Sequence, residues 1–355
     1  MEVSKRRRPM TPIVPPRPIS DIFTDDEYAR MMHILRTKGP WQLIQAIHFK
    51  SAEEMLAVSS PSGGRNEGLK LSDLLTPAFR GTFGNNGLPY IEEAHEIFYS
   101  RKLLDLVKAM HGARYGAPYL FQFNINAPSH GFDPGHIDGR SWRGLDPTNM
   151  PAWLGAVMAK SGLFDPWEVN AGQVISWYYD CDIDGGFTFW PDGPDRAPQR
   201  LSAPIWNSGL VTDNQHMFHR GEASGLPERR DTAAGMTLQS MMEADGEDGW
   251  RIIDGDRVLA RYEASDMRML FHYSAHVFTD MADLKRFYDH TDDLTTDQAF
   301  DILIADLKAK SIPVAIPTDP MSDPSFIATL TAAYATSPTS YHPEAPLHTR
   351  PQMAA

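Results

Sequence analysis

The sequence predicts a mainly β fold with flanking helices, built around a barrel-like double sheet. Short segments of alternating or continuous apolar residues recur between turn signals over roughly residues 115–280. No helical pattern separates most of these segments, which is typical of antiparallel sheets and not of alternating β/α units. Helical patterns lie mainly on the two flanks. At 355 residues the chain is long enough to form one elaborated domain, which we place at 21–335.

The chain begins with a segment that is predicted to be a disordered leader, residues 1–20. It contains a basic cluster, Lys5–Arg8, followed by a Pro-rich stretch. A nuclear address is the alternative interpretation of the cluster. Residues 59–90 are rich in glycine and asparagine, and we expect them to form loops that could cover the opening of the barrel.

Helices are predicted on the N-terminal flank, over residues 21–112. Thr24–Glu27 fits a capping box before a helix to about Thr37, and Ser51–Glu54 fits another. Ile91–Met110 has helical periodicity and is closed by Gly112. These helices are expected to buttress one outer face of the sheets.

The first core strand is predicted at Tyr119–Asn126. Its apolar side chains alternate with a largely polar set that includes Gln122 and Asn124. We expect this polar face to point into a functional site. A loop with proline and glycine then leads to the triplet His136-Ile137-Asp138.

The remaining elements follow from the same patterns. The predicted strands are Val174–Asp180, Phe187–Trp190, Gly209–Asp213 with Met217–Gly221, Met236–Met242, Arg251–Asp254, Arg257–Tyr262 and Arg268–Phe278. Helices are predicted near 281–290, 296–309 and 323–334, as the rest of a buttress over 281–335. Residues 336–355 are rich in proline, serine and histidine and are expected to be a mobile tail.

The triplet His136-Ile137-Asp138 has metal-ligand spacing. On a strand, residues two apart point to the same side, so both polar side chains can reach one ion while Ile137 packs away from it. A third ligand must come from a distant strand. His219 and His216 are the candidates, and their odd spacing places them on opposite faces, so only one can serve. We favour His219.

A second triplet, His290-Thr291-Asp292, has the same spacing. It lies in a segment that alternates charged and apolar residues at helical spacing, and only His342 and His348 follow it. We therefore interpret it as a solvated helix end.

Two histidines and one carboxylate can occupy one face of an iron(II) ion and leave positions for a co-substrate and dioxygen. Arg230, eleven positions after His219, could hold a carboxylate of that co-substrate, together with the Thr232 hydroxyl. Arg229 is the competing arginine. A charged turn beside Glu228 and Asp231 is the alternative interpretation of both arginines.

With these residues the chain resembles the iron(II)- and 2-oxoglutarate-dependent oxygenase superfamily, whose core is a double-stranded β-helix of the jelly-roll, cupin-like type. The matching residues are His136, Asp138 and His219, with Arg230 and Thr232 in the family's Arg-x-Ser/Thr pattern. A Gly-Gly turn, an aromatic strand and a proline also match, at Gly185-Gly186 through Pro191. The resemblance covers roughly residues 115–280.

The resemblance implies iron(II) on the three ligands, 2-oxoglutarate as co-substrate and O2 as oxidant. Hydroxylation, desaturation and oxidative cyclisation of an unactivated C–H bond stay open, because all use the same oxidising species. A carboxylate at Asp138 argues against a halogenase. Further candidates are Gln122 and Asn124 for the co-substrate, and Arg143, Trp142 and Arg114 for a polar or carboxylate-bearing substrate such as an amino-acid derivative.

Composition limits the partners. A net charge of −13 and a pI near 5.4 argue against nucleic acid, so we expect a small-molecule substrate and a role in biosynthetic or tailoring metabolism. The single cysteine, Cys181, excludes an internal disulfide. Because no apolar segment has the length of a membrane span, we expect a cytoplasmic enzyme, either a monomer or a homodimer. The alternatives are an iron oxygenase that does not use 2-oxoglutarate and a non-redox, cupin-like binding protein.

Overall fold

A computed structural model of the protein describes residues 10–59, 70–131, 135–230 and 232–334. Within them the strands are β1 Arg17–Ser20, β2 Trp41–Leu43, β3 Ala78–Asn85, β4 Leu88–Pro89, β5 Tyr115–Asn126, β6 Ser141–Trp142, β7 Glu168–Val169, β8 Ala171–Tyr179, β9 Phe187–Trp190, β10 Gln199–Leu201, β11 Ile205–Thr212, β12 Phe218–Gly221, β13 Met241–Asp245, β14 Gly249–Asp254, β15 Arg257–Tyr262 and β16 Arg268–Phe278. The α-helices are α1 Asp25–Thr37, α2 Ile44–His48, α3 Ala52–Ser59, α4 His95–Phe98, α5 Arg101–His111, α6 Ala152–Ser161, α7 Met281–Asp289, α8 Thr296–Ala309 and α9 Pro324–Tyr334.

The strands form a large antiparallel sheet, a small three-stranded sheet and a two-stranded pair of β6 and β7. In the described part of the chain the large sheet has eleven strands in the order β1-β11-β8-β16-β5-β3-β2-β13-β14-β15, with β4 paired to β3. The small sheet has the order β10-β9-β12. An isolated bridge between His136 and His219 adds the segment of His136 to β12. The predicted mainly antiparallel fold with flanking helices is confirmed, and it is consistent with a jelly roll.

The large sheet separates two apolar layers. On one face, Phe121, Phe123 and Phe271 pack against α1 and α5 in the largest core cluster. On the other face, Trp177 packs against Phe187 of the small sheet, with ring centroids 4.8 Å apart. Because side chains alternate across a strand, β8 supplies Val174 and Tyr178 to the first layer and Ile175 and Trp177 to the second.

The same alternation turns a polar set of side chains toward the small sheet. On β5 the residues between the core phenylalanines are Gln122 and Asn124. On β16, which pairs with β5, the corresponding residues are Leu270 and His272, which alternate with Met269, Phe271 and Tyr273 of the core. The face of the large sheet toward the small sheet therefore carries both polar and apolar side chains.

The flanking helices follow the capping signals. Thr24 caps α1 in a complete capping box with Glu27, as predicted. The segment predicted as one helix, Ile91–Met110, is instead broken between α4 and α5, where the Ser100 side chain caps α5. The predicted C-terminal helices correspond to α7, α8 and α9.

Two predictions for the N-terminal flank need correction. Residues 59–90 do not form loops throughout, because β3 joins the large sheet beside β5. The leader predicted over 1–20 is ordered in part, because β1 pairs with β11. The remaining part of the leader, with its basic cluster, and the predicted tail 336–355 lie outside the described residues. The limits of the single domain stay a prediction.

None of the helices in the described residues combines the length and the apolar character that crossing a membrane requires.

Candidate metal centre

Backbone hydrogen bonds bring the two predicted ligand segments side by side. His136 donates its N–H to the His219 carbonyl at 2.9 Å, and His219 donates to the His136 carbonyl at 3.0 Å. Asp138 donates its N–H to the carbonyl of Asn214 at 2.9 Å. Because residues two apart on an extended segment point the same way, the side chains of His136 and Asp138 both project beside His219.

The three side chains converge on one point. Asp138 Oδ1 lies 3.6 Å from His136 Nε2 and 3.5 Å from His219 Nε2, and the three donor atoms all lie within 4.8 Å of one another. Two ligands bound at right angles to one metal ion are separated by about 3 Å, since each metal–ligand bond is about 2.1 Å long. Small side-chain movements are therefore enough for the triad to hold one ion.

Burial of the triad is asymmetric. The His219 side chain is 5% exposed, whereas those of His136 and Asp138 are 24% and 23% exposed. On the buried side Phe187 packs against the His219 ring, with centroids 5.4 Å apart. An ion held here would thus be covered on one side by apolar side chains and accessible on the other.

Gln173 orients the carboxylate of the triad. Its side-chain amide donates to Asp138 Oδ2 at 2.9 Å, and its carbonyl oxygen accepts from the backbone N–H of Asn214 at 2.9 Å. Gln173 therefore occupies one oxygen of Asp138 and leaves Oδ1 facing the two imidazoles. Hydrogen bonds of this kind fix the geometry of ligands around metals in proteins.

The tautomer of His219 follows from its neighbour. His219 Nδ1 lies 2.8 Å from the carbonyl oxygen of Met217. Since a carbonyl oxygen can only accept, Nδ1 carries the proton and the lone pair is left on Nε2. That nitrogen is the one that faces Asp138.

The Asp138 carboxyl is held in its ionised form. Burial acts to raise its pKa, but the interactions of the carboxyl with the His219 and His136 rings outweigh burial and hold the pKa well below the ordinary value. The triad therefore presents one carboxylate and two imidazole nitrogens, which is the donor set of a facial metal site.

His216 belongs to a buried charged network next to the triad. Its Nδ1 lies 2.8 Å from Asp213 Oδ1, and its Nε2 lies 2.5 Å from Glu168 Oε1. Glu168 also pairs with Arg140, whose Nε donates to the carbonyl of Gln215. This network connects the segment after Asp138 to the turn before His219. His216 itself is turned away from the triad.

The second His-x-Asp triplet has other partners. His290 Nδ1 lies 2.8 Å from Asp293 Oδ2, and Asp292 accepts two hydrogen bonds from Arg143. In the part of the chain that the structure describes, no group of three or more potential ligands besides the triad of residues 136, 138 and 219 comes together.

Arg230 and Thr232, the predicted co-substrate residues, make contacts elsewhere. Arg230 Nη2 lies 2.5 Å from Asp184 Oδ2, and the guanidinium also donates to the Gly225 carbonyl at 2.8 and 3.1 Å. The Thr232 hydroxyl donates to the carbonyl of Leu75 at 3.2 Å. The Arg230 fork thus already binds a carboxylate of the protein. The competing Arg229 pairs with Asp266.

A group of polar side chains that we call the polar wall lines the space between the sheets near the triad. Its members are Arg80, Asn124, Gln122, His272 and His48. Arg80 Nε donates to Asn124 Oδ1 at 2.8 Å, and Arg80 Nη1 lies 2.7 Å from His48 Nε2. Gln122 Nε2 lies 3.3 Å from His272 Nδ1. The inward polar face of β5 is thus part of a larger polar surface.

Both histidines of the polar wall are neutral. Burial lowers the pKa of His272 to about 4, with a smaller opposing effect from Asp138. Burial and the neighbouring Arg80 charge lower the pKa of His48 to about 3. Both imidazoles therefore act as neutral hydrogen-bonding groups.

Three residues of the wall, Arg80, His48 and His272, were not predicted from the sequence, and neither was Gln173. A signal for His272 was present, because Arg268, His272 and Ser274 alternate with apolar residues along β16 as the polar residues of β5 do. A signal for Arg80 was also present in the alternation of Phe79 and Phe83 around it.

The three predicted substrate residues lie in other surroundings. Trp142 is buried in the apolar cluster beneath α6 and α8. Arg143 is buried as well, with Nε 2.7 Å from Asp292 Oδ1 and Nη2 2.9 Å from Oδ2. Arg114 is exposed and stacks over the Tyr115 ring at 5.3 Å. The contacts that the structure gives these residues do not include the triad.

The chain has distant likenesses among solved structures. No family model matches the chain, and no curated protein matches it. Among solved structures, the chain is similar to an oxidoreductase of the 2OG-Fe(II) oxygenase family from Burkholderia pseudomallei, with a TM-score of 0.39 and 12% sequence identity over 74% of this chain and 87% of that chain.

Proposed function

We propose that this protein is a non-haem iron(II)- and 2-oxoglutarate-dependent oxygenase that oxidises an unactivated C–H bond of a small molecule. The observation that carries the proposal is the convergence of three side chains, with Asp138 Oδ1 3.6 Å from His136 Nε2 and 3.5 Å from His219 Nε2. Two histidines and one carboxylate with open positions are the ligand set of non-haem iron(II) oxygenases.

The surroundings of the triad support the same proposal. Asp138 is ionised and oriented by Gln173, and His219 is fixed in the tautomer that presents Nε2. Both features prepare ligands for a divalent cation before it arrives. Iron(II) bound here with 2-oxoglutarate and O2 would supply a two-electron oxidation of the substrate, with succinate and carbon dioxide as co-products.

The protein's own contribution is to position the ligands and to limit access to them. The apolar side chains of Trp177, Phe187 and Leu270 fill the space on one side of the triad and keep water from it. The polar wall lies on another side and offers hydrogen-bond partners to a polar ligand. Access for the co-substrate and the substrate is thus expected on the partly exposed side of His136 and Asp138.

The strand order supports a double-stranded β-helix as the core of the fold. In the large sheet β5, β16, β8 and β11 are neighbours, and the small sheet contains β10, β9, β12 and the segment of His136. Among these eight segments, β5 comes first in the chain, β8 third and β16 last. In the large sheet, β16 lies between β5 and β8. Eight strands in two facing sheets with such crossovers are typical of jelly rolls.

Turnover of 2-oxoglutarate tests the proposal. Purified protein with iron(II), ascorbate and 2-oxoglutarate should release succinate and consume O2 slowly without a substrate, and a matching metabolite should accelerate both. Asp138→Ala is the control and should abolish both signals. Absence of both 2-oxoglutarate binding and turnover in the wild-type protein would contradict the proposal, and O2 consumption that is indifferent to 2-oxoglutarate would favour an iron oxygenase without this co-substrate.

A further inference from the structure

Arg80 is a cation in the interior between the two sheets. It lies on β3, opposite Asn124 of β5, and is half-buried. Its neighbours Phe79 and Phe83 belong to the apolar core on the other face of the sheet. Alternation along the strand therefore directs Arg80 to the same side as the polar face of β5.

The contacts of Arg80 differ from those of Arg140, Arg143 and Arg230 and are closer to those of the buried Arg268, which donates to the carbonyls of Gly185 and Gly186. Among the described residues no carboxylate lies within the 4.0 Å of an ion pair with Arg80, whose partners are the Asn124 amide and the His48 imidazole. Elsewhere carboxylates pair with the buried guanidinium groups of Arg140, Arg143 and Arg230. A charge removed from water without a counter-ion is unfavourable unless a ligand supplies one.

The neighbours of Arg80 do not neutralise it. Burial lowers the pKa of Arg80 to about 10, and the Asp138 carboxylate partly opposes this effect, so the guanidinium is charged at neutral pH. His48 is uncharged, and its Nε2 accepts the hydrogen bond from Arg80 Nη1, because the guanidinium can only donate. Both polar partners thus hold the guanidinium in place and leave its charge uncompensated.

Arg80 and the triad line the same interior. Asn124, which binds Arg80, shares a face of β5 with Gln122, and Gln122 contacts His272 of β16. Gln173, which binds Asp138, lies on β8 and pairs with Ser274, two residues after His272. This row across β3, β5, β16 and β8 leads from Arg80 to the carboxylate of the triad.

We propose that Arg80 binds the distal carboxylate of 2-oxoglutarate, in place of Arg230. The proposal rests on the proposed function. A guanidinium fork matches two carboxylate oxygens, and Nη2 of Arg80 has no partner among its contacts to Asn124 and His48. Arg230 instead uses its fork on Asp184 and the Gly225 carbonyl.

Comparison of two keto acids isolates this contact. 2-Oxoglutarate and 2-oxovalerate share the keto-acid end, but only the first has a distal carboxylate. Their dissociation constants are measured anaerobically with the iron(II)-loaded wild-type protein, Arg80→Gln, Arg80→Lys and Arg230→Gln. Arg261→Gln is the control, because the Arg261 side chain on the edge strand β15 is 57% exposed and pairs with Asp245 of β13. Iron(II) affinity is measured for each variant in parallel.

We expect Arg80→Gln to raise the dissociation constant of 2-oxoglutarate about 10- to 100-fold, which is the usual effect of losing a charged hydrogen bond. The dissociation constant of 2-oxovalerate should change by less than about 3-fold. Arg80→Lys should retain part of the preference for 2-oxoglutarate over 2-oxovalerate, because lysine keeps the positive charge but lacks the two parallel N–H donors of the guanidinium. It also provides the test if the glutamine variant does not fold. Arg230→Gln and Arg261→Gln should keep the wild-type preference, and iron(II) affinity should not change.

Several results would overturn the inference. One is wild-type 2-oxoglutarate affinity in both Arg80 variants, and another is loss of the preference in Arg230→Gln instead. If the Arg80 variants bound both keto acids more weakly by the same factor, Arg80 would have only a structural role. A wild-type protein that binds neither keto acid would overturn the proposed function as well, and this result is distinguishable because it does not depend on any variant.

Discussion

The side-chain amide of Gln173 donates to Asp138 Oδ2 at 2.9 Å and so leaves Oδ1 toward the two histidines. This contact gives a prediction for metal affinity. Gln173→Leu should weaken iron(II) binding about 10- to 100-fold, because the ligand carboxylate loses its orienting partner. Anaerobic titration with iron(II) measures the effect, and Gln199→Leu, at an exposed position of β10, is the control. Unchanged affinity in Gln173→Leu would show that Asp138 needs no such partner.

The two histidines before Arg220 should respond differently to substitution. His219→Ala removes a proposed ligand and should abolish iron(II) binding with little loss of stability. His216→Ala breaks the buried contacts with Asp213 and Glu168 and should destabilise the fold by about 3 to 5 kcal/mol while the remaining folded protein binds iron(II). Iron titration and urea denaturation of both variants measure this difference. The opposite pattern would assign His216 as the ligand.

Stability should depend on the titration of His216. Burial lowers the pKa of His216, but the charge of Asp213 and the hydrogen bonds to Asp213 and Glu168 prevail over burial and Arg140, so the pKa lies above the ordinary 6.5. The stabilisation is therefore complete below pH 6.5 and is lost as the pH rises through the folded-state pKa. Between about pH 6 and about pH 9, the free energy of unfolding measured by urea denaturation should fall more steeply with pH for the wild type than for His216→Gln. Parallel curves would contradict the prediction.

Arg143 should contribute to stability and not to metal binding. It is buried and bidentate on Asp292, which links the segment after the triad to the start of the C-terminal helices. Arg143→Ala should destabilise the protein by about 1 to 3 kcal/mol. Thermal denaturation and iron titration test this, with Arg286→Ala, an exposed arginine on α7, as the control. A loss of substrate turnover at unchanged stability would instead support the role in substrate binding that the sequence suggested.

The sequence predicted those parts of the fold that depend on local periodicity. Alternation along Tyr119–Asn126 placed Gln122 and Asn124 on one face, and that face points into the space between the sheets. The spacing of His136 and Asp138 predicted that both side chains share a side of the chain. The sequence favoured His219 over His216, and in the folded chain the His219 ring is the one that lies beside Asp138.

The residues that the sequence did not reveal depend on long-range strand pairing or on close packing. β3 was not predicted as a strand, because glycines such as those it contains are typical of loops. Gly81 is required by packing instead, since a Cβ there would lie 2.3 Å from Cζ of Phe123. Without β3 in the sheet, Arg80 could not be placed beside Asn124. Similarly, the spacing of Arg230 matched the family pattern, but its contact with Asp184, which is 46 positions away, was not visible in the sequence.

Anomalous diffraction from crystals loaded anaerobically with iron(II) tests the central claim most directly. The account predicts a single strong iron peak per chain, bonded to His136 Nε2, Asp138 Oδ1 and His219 Nε2 at about 2.0 to 2.2 Å. An iron peak at other residues, or no peak at the triad under conditions that saturate the protein with iron, would contradict it.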